Sequence, residues 1–189
     1  MIATVFPDSL ATERLTLRRW GDADLEPFAR INADPVVMEY LLEPLTRVES
    51  DAMVERIEAT FERDGLGLWA VEVIATGELA GFVGLWPATF DAHFTPAVEV
   101  GWRLAAAQWG RGYATEAARR AIDDGFTRLG LTEIVSFTAV INDRSRRVMR
   151  KLGMSHDPTD DFDHPAVPAG HRLRRHVLYR IANPQAGKT

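Results

Sequence analysis

Polar and apolar residues alternate with a period of two at Leu15-Thr16-Leu17-Arg18-Arg19, which predicts a strand with one buried face. A 3.6-residue period follows from Asp22, which can cap it, to about Ala33, and predicts a helix. Thr46 and Glu49 make a capping box for a second helix over 48–64, stopped by Gly65. Runs at 68–74 and 78–86 flank Ala75-Thr76-Gly77 and read as a hairpin. Ala97–Leu104 is the next strand, followed by a helix over 114–129 with Gly130 past its end. Residues 133–140 are rich in β-branched side chains and read as a strand; 143–152 read as a short helix ended by Gly153. A polar loop with Pro158, Pro165 and Pro168 leads to a last strand at 174–181.

This order, β-α-α-β-β-β-α-β-α-loop-β, predicts an α+β domain with a mixed, mostly antiparallel sheet. The strands at 97–104 and 133–140 are joined by a crossover helix and so should run parallel. One domain is placed at 12–181, with 1–11 and 182–189 as terminal extensions, the second frayed from Asn183 onward.

Composition narrows the function classes. A chain of 189 residues supports one domain with a sizeable core, not two comfortable ones. Apolar residues at 46% and charged ones at 26% are ordinary for a soluble globular protein. A net charge of −5 argues against a nucleic-acid partner and leans toward cationic or amine-bearing ligands. The absence of cysteine removes disulfides, thiolate metal sites and a cysteine nucleophile. No apolar run reaches about 18 residues, so neither a membrane span nor a membrane partner is expected. The first eight residues lack a basic segment and a long apolar one; no signal peptide is expected, and the cytoplasm is the default.

The chemistry begins at Gln108-Trp109-Gly110-Arg111-Gly112-Tyr113-Ala114-Thr115-Glu116. A strand that ends in a glycine-spaced turn opening a helix leaves several N–H groups unpaired beside the positive end of the helix dipole. That is an anion site, with phosphate its usual occupant. A P-loop is excluded because no Gly-Lys-Ser/Thr occurs. The dinucleotide fingerprint is excluded because its third small position falls on Thr115.

The stretch resembles the acetyl-coenzyme A loop of the GNAT acetyltransferase superfamily, Q/R-x-x-G-x-G/A, with Gly112 and Ala114 on the small positions and Trp109 replacing the Gln/Arg. The fuller string is similar to the RimJ/RimL-type subgroup of ribosomal-protein N-acetyltransferases. The element order matches the family's fold, in which the two parallel strands splay and the pantetheine arm lies between them. A second element, Asn142 to Met154, resembles the family's N-x-x-S/A motif and following Gly-Phe, with Met154 replacing the Phe. Met149 stands where the family often carries a proton-donating Tyr. The resemblance implies a coenzyme-contacting set of Trp102, Arg103, Leu104, Trp109, Gly110, Arg111, Gly112, Tyr113, Ala114, Thr115, Asn142, Ser145 and Arg147.

Ser145 falls with Val148, Met149 and Leu152 within a helical arc of about 100°. It either bonds a nearby backbone group or, as the subgroup implies, donates a proton to the coenzyme sulfur. The basic residues of that helix split into two flanks, Arg144, Arg147 and Lys151 against Arg146 and Arg150. Either these are solvated or one or two of them reach the adenosine phosphates, with Arg111 a better placed candidate.

Acyl transfer needs a neutral amine. An α-amine is about 14% neutral at pH 7 and a lysine only about 0.04%, so a lysine acceptor needs a good base. Glu99 sits in mid-strand among apolar neighbours, on the same face as Gly101 and Arg103. It is either that base, acting through water, or the ion-pair partner of Arg103. His164, flanked by Asp160, Asp161 and Asp163, is a second candidate base, unless the segment is only a polar loop. With His156, His171 and His176 it shows no metal-ligand spacing, so no metal is expected. Trp20, Trp69, Trp86 and Phe90 are core residues or line the acceptor pocket.

The function this implies is direct acetyl transfer from acetyl-coenzyme A to a primary amine: a protein N-terminal α-amine, a polyamine or an antibiotic amine, in that order. The alternatives are a non-catalytic acyl-coenzyme A sensor or scaffold and, from another class, an unrelated nucleotide-binding α/β protein. A homodimer follows from family analogy alone.

Overall fold

The computed structural model describes residues 7–186; the expectations for the extreme N-terminus and for the last three residues lie outside the described residues. Nine strands form one sheet in the order β1-β2-β3-β4-β5-β6-β9-β7, with β8 paired to β9. The strands are β1 (Ser9–Ala11), β2 (Leu15–Arg18), β3 (Leu68–Val73), β4 (Leu79–Ala88), β5 (Ala97–Leu104), β6 (Glu133–Ala139), β7 (Ser155–His156), β8 (Phe162–Asp163) and β9 (Arg175–Ala182). Four helices join them: α1 (Asp22–Ala33), α2 (Arg47–Asp64), α3 (Tyr113–Thr127) and α4 (Asp143–Lys151).

The pairing is antiparallel throughout except between β5 and β6, which run parallel and share a single register pair, Glu99 with Val135. Beyond that pair the strands diverge toward their C-terminal ends, and the gap between them is the central structural fact of the molecule. Antiparallel partners share a face, and β4 sets Phe82 opposite Arg103 and Trp86 opposite Glu99. Phe28 of α1 meets the Phe82 ring edge-on at 5.9 Å, so α1 covers that face. On the other, α3 packs so closely that a Cβ on Gly125 would stand 2.8 Å from Leu85 and 3.0 Å from Ile134.

Local signals explain the element ends. Thr46 and Glu49 close the expected capping box, and Gly65 stops α2 at φ 68°. The start of α1 differs: Gly21 is the N-cap, and Asp24 reaches back to its N–H at 2.9 Å. The stretch 1–11, expected to be an extension, takes part in the sheet at its end. Ser9–Ala11 pairs with β2 and buries Leu10, because an apolar side chain beside an open sheet edge gains by joining it. The long polar loop is likewise not bare, since β7 and β8 both pair with β9. Asn183, read as frayed, is tied at its N–H to Thr132 (2.8 Å) and at its side chain to Leu131 (3.1 Å).

Candidate active site

A cavity of about 820 Å³ occupies the gap between β5 and β6 and runs on to α2 and the loop between α1 and α2. At one end lies the turn into α3. Gly110 and Gly112 hold φ of 76° and 85°, a region costly for any residue with a Cβ. The N–H groups from Gly110 to Thr115 have no acceptor among the described residues; the next one, of Glu116, bonds the Gly112 carbonyl at 3.0 Å. Six consecutive amides at the positive end of α3 are therefore left unpaired, as a strand, a glycine turn and a helix start in succession predict. The turn is braced from outside. Arg14 donates to the Arg111 carbonyl (3.0 Å) and, through Nε, to Glu116 (2.7 Å), which also accepts from Thr12. Burial alone would raise the Glu116 pKa, but the hydrogen bonds from Thr12 and Arg14 hold it below the ordinary value. Trp109 anchors the other side by donating its indole N–H to the Leu104 carbonyl at 2.9 Å.

In the middle, Asn142 caps α4. Its carbonyl oxygen accepts from the Ser145 N–H (3.2 Å), and its amide donates to Thr138 Oγ1 (2.9 Å) and Ser145 Oγ (3.2 Å). Ser145 thus receives a hydrogen bond and has no acceptor for its own hydroxyl proton among the described residues. It does not bond a backbone group, and it lines the cavity beside buried Met149.

Glu99 lies deeper. Water entering the cavity can touch it, yet protein surrounds the carboxyl, and the loss of solvation pushes its pKa up to about 8. No ion pair joins it to Arg103. Arg103 turns instead toward the helices, donating from Nη1 to Asn32 Oδ1 at 2.7 Å and stacking over Phe82 at 5.4 Å.

Of the coenzyme-contacting set, all but Arg111 line the cavity; the Arg111 side chain is exposed. The two flanks of α4 separate cleanly. Arg144, Arg147 and Lys151 line the cavity, and Arg146 and Arg150 do not. His164 does not line it either. Its ring packs 4.7 Å from Phe90 and 5.0 Å from His176, and loss of water lowers its pKa. Its neighbouring carboxylates do not orient it, because Asp161 holds His156 (2.7 Å), Asp160 holds Arg180 (2.7 Å) and Asp163 lies against Arg174 (3.3 Å).

Among the aromatic candidates, Trp86 alone lines the cavity. Trp20 donates to the Leu68 carbonyl, Trp69 packs on Phe61, and Phe90 belongs to a satellite core with Phe94 and Phe162. Sequence reasoning missed Arg56 and Met53, which line the cavity from α2 with Ile57. Their i, i+3, i+4 spacing marks one helix face, but nothing local says that this face meets a cavity. Among the described residues no cluster of His, Asp or Glu is placed to hold a metal ion, and no helix is long and apolar enough to cross a membrane.

Residues 14–155 match the acetyltransferase (GNAT) domain model. The chain belongs to the GNAT acetyltransferases. It is 32% identical over 172 residues to the FsC-acetyl coenzyme A-N(2)-transacetylase of Aspergillus fumigatus, covering 86% of this chain and 71% of that one. A GNAT-family acetyltransferase from Bacillus anthracis superposes with a TM-score of 0.77 at 25% identity, over 93% of this chain and 98% of that one. The fold is shared with Mycobacterium smegmatis RimJ, solved with CoA-disulfide, at a TM-score of 0.76 and 19% identity over 96% and 90% of the two chains. This GNAT protein is therefore an N-acetyltransferase, from a family that uses acetyl-coenzyme A.

Proposed function

We propose that this enzyme moves the acetyl group of acetyl-coenzyme A in one step onto a primary amine, either a protein N-terminal α-amine or the amine of a small molecule. One observation carries the reading: six unpaired amides open onto a cavity that leads past Ser145 to Glu99. The residues fit the coenzyme. Gly110 to Thr115 would hold the pyrophosphate, with Arg144, Arg147 and Lys151 beside it, and the free edges of β5 and β6 would flank the pantetheine arm. When bound, the coenzyme supplies an activated thioester.

The chain supplies the proton transfers. A carbon–nitrogen bond forms as the carbon–sulfur bond breaks. Glu99, directly or through water, takes the proton the amine must lose, and Ser145 gives its hydroxyl proton to the departing sulfur, recovering one from solvent. With a pKa of about 8, roughly one-tenth of Glu99 is ionised at pH 7, and its basicity is close to that of an α-amine, so the transfer is nearly level. His164 is not given this role, since its ring lies outside the cavity.

Met149 at the usual tyrosine position favours a second reading, a non-catalytic acyl-coenzyme A sensor; Ser145 supplies the donor that Met149 lacks. Thiol release from acetyl-coenzyme A in the presence of an amine and peptide panel separates the two. Amine-dependent release is expected. Binding of acetyl-coenzyme A by calorimetry without any amine-dependent release would make the protein a sensor.

A further inference from the structure

We infer that the acceptor amine carries a carboxylate of its own and that Arg103 receives it. This rests on the acetyl-transfer reading for the amine, and on independent geometry for the anion.

Among the described residues lining the cavity, Glu99 is the one acid, against Arg56, Arg103, Arg144, Arg147 and Lys151. A basic cavity in a chain of net charge −5 is a local property, opposite to what bulk charge suggests. The three α4 cations stand beside the amide cradle, where the coenzyme's phosphates account for them. Arg56 and Arg103 stand at the α1–α2 end, and those phosphates do not account for them.

Arg103 is unlike Arg18, Arg19 and Arg180, which are also partly buried. Arg18 is paired with Asp24 and Glu72, Arg19 with Glu58 and Glu62, and Arg180 with Asp160 and Glu133. Arg103 has no carboxylate partner among the described residues. Its Nη1 bonds Asn32 Oδ1 at 2.7 Å and approaches Met53 Sδ at 3.9 Å. Asn32 in turn donates to Ser50 Oγ at 2.8 Å, and both side chains are fully buried. The guanidinium is thus held from behind by a relay between α1 and α2 and set over the Phe82 ring at 5.4 Å, with its remaining donors unengaged among the described residues. Dehydrating a cation without a counter-charge is unfavourable, and here it lowers the pKa to about 10. A planar fork of N–H donors held in one orientation matches a carboxylate.

The floor between the base and this cation is open. Gly101 lies between Glu99 and Arg103 on the same face, and a Cβ there would meet only Glu99 Oε1, at 3.8 Å. Neither packing nor a positive φ demands glycine at this position. Its smallness leaves room for a molecule whose amine lies at Glu99 and whose carboxylate lies at Arg103.

The test is thiol release from acetyl-coenzyme A with matched acceptors: α-amino acids, β-alanine and γ-aminobutyrate, each against its amide, and phosphoethanolamine against ethanolamine. The carboxylate member should exceed its amide by about tenfold or more in kcat/KM. Arg103→Gln should bring that ratio close to one, and Arg103→Lys should keep part of it. The same pairs are titrated calorimetrically into the coenzyme A-loaded protein. If no amine is acetylated, yet carboxylates bind the wild type in preference to amides and Arg103→Gln loses that preference, the anion site stands and the transfer reading falls. Acetylation without a carboxylate preference, preference for the phosphate-bearing amine, or a preference that survives Arg103→Gln would each overturn the proposal.

Discussion

The two ends of the cavity satisfy their cations in opposite ways. At the α4 end the charges stay near water: Arg147 and Lys151 are exposed, and Arg144 rests on the Trp109 ring at 4.5 Å with Glu39 at 3.4 Å. At the α1–α2 end Arg103 is dehydrated, fixed by Asn32 and left without a carboxylate. Charge in contact with solvent is inexpensive and screened by salt, so it steers and tethers a polyanion without demanding one geometry. Charge withdrawn from solvent is expensive, so it discriminates, because only a ligand that brings the missing partner makes the site favourable. On the proposed reading, one end holds the coenzyme and the other selects the acceptor.

That contrast can be broken at the point between the ends. Glu99→Gln should lower kcat/KM by about 100-fold or more. The wild-type profile should rise with pH to a plateau above about 8, as the carboxyl loses its proton, and the variant should lack that limb. An unchanged profile would put the base elsewhere. Ser145→Ala should reduce kcat by about tenfold while the acetyl-coenzyme A affinity, measured by calorimetry, stays as it was; equal turnover would remove Ser145 from the proton path.

The α4 end sharpens the comparison through salt. Arg147→Ala should weaken acetyl-coenzyme A binding by about threefold at low ionic strength, the difference shrinking at high salt. Arg111→Ala should do less, since that side chain is exposed and does not line the cavity. An Arg147 effect that ignores salt would contradict the screened, solvent-exposed character assigned to this end.

The smallest effect is on stability. Folded, Glu99 keeps its proton to about pH 8; unfolded, it keeps it only to about 4.5. Unfolding therefore releases a proton within that window, and the native state loses stability as pH rises through it. Glu99→Gln should match the wild type in Tm near pH 4 and exceed it by about 4 °C or more near pH 9. A gap of equal size at both pH values would mean that the carboxyl is not the dehydrated group described.

Much of the molecule was legible because its signals are short-range. The Thr46–Glu49 box, the glycines after α2, α3 and α4, and the period-two runs each depend on residues a few positions apart, and every main element appears close to where these predict it. The amide cradle was legible for the same reason: a strand, a glycine turn and a helix start are contiguous, so the unpaired N–H groups follow from the local chain path. Asn142 and Ser145, three residues apart on one helix turn, meet each other for that reason too.

Partners far apart in the chain were not readable. Whether Glu99 met Arg103 depended on Asn32, some 71 positions away, capturing the guanidinium first. Whether His164 reached the site depended on Phe90 and His176 enclosing its ring, while each aspartate beside it found a partner elsewhere. The edge strand Ser9–Ala11 needed β2 to give it a place. Covalent neighbours settle the dihedral angles and hence the elements; burial, and with it the raised pKa of Glu99 and the lowered pKa of Arg103, arises only when distant segments close around a side chain and exclude its water.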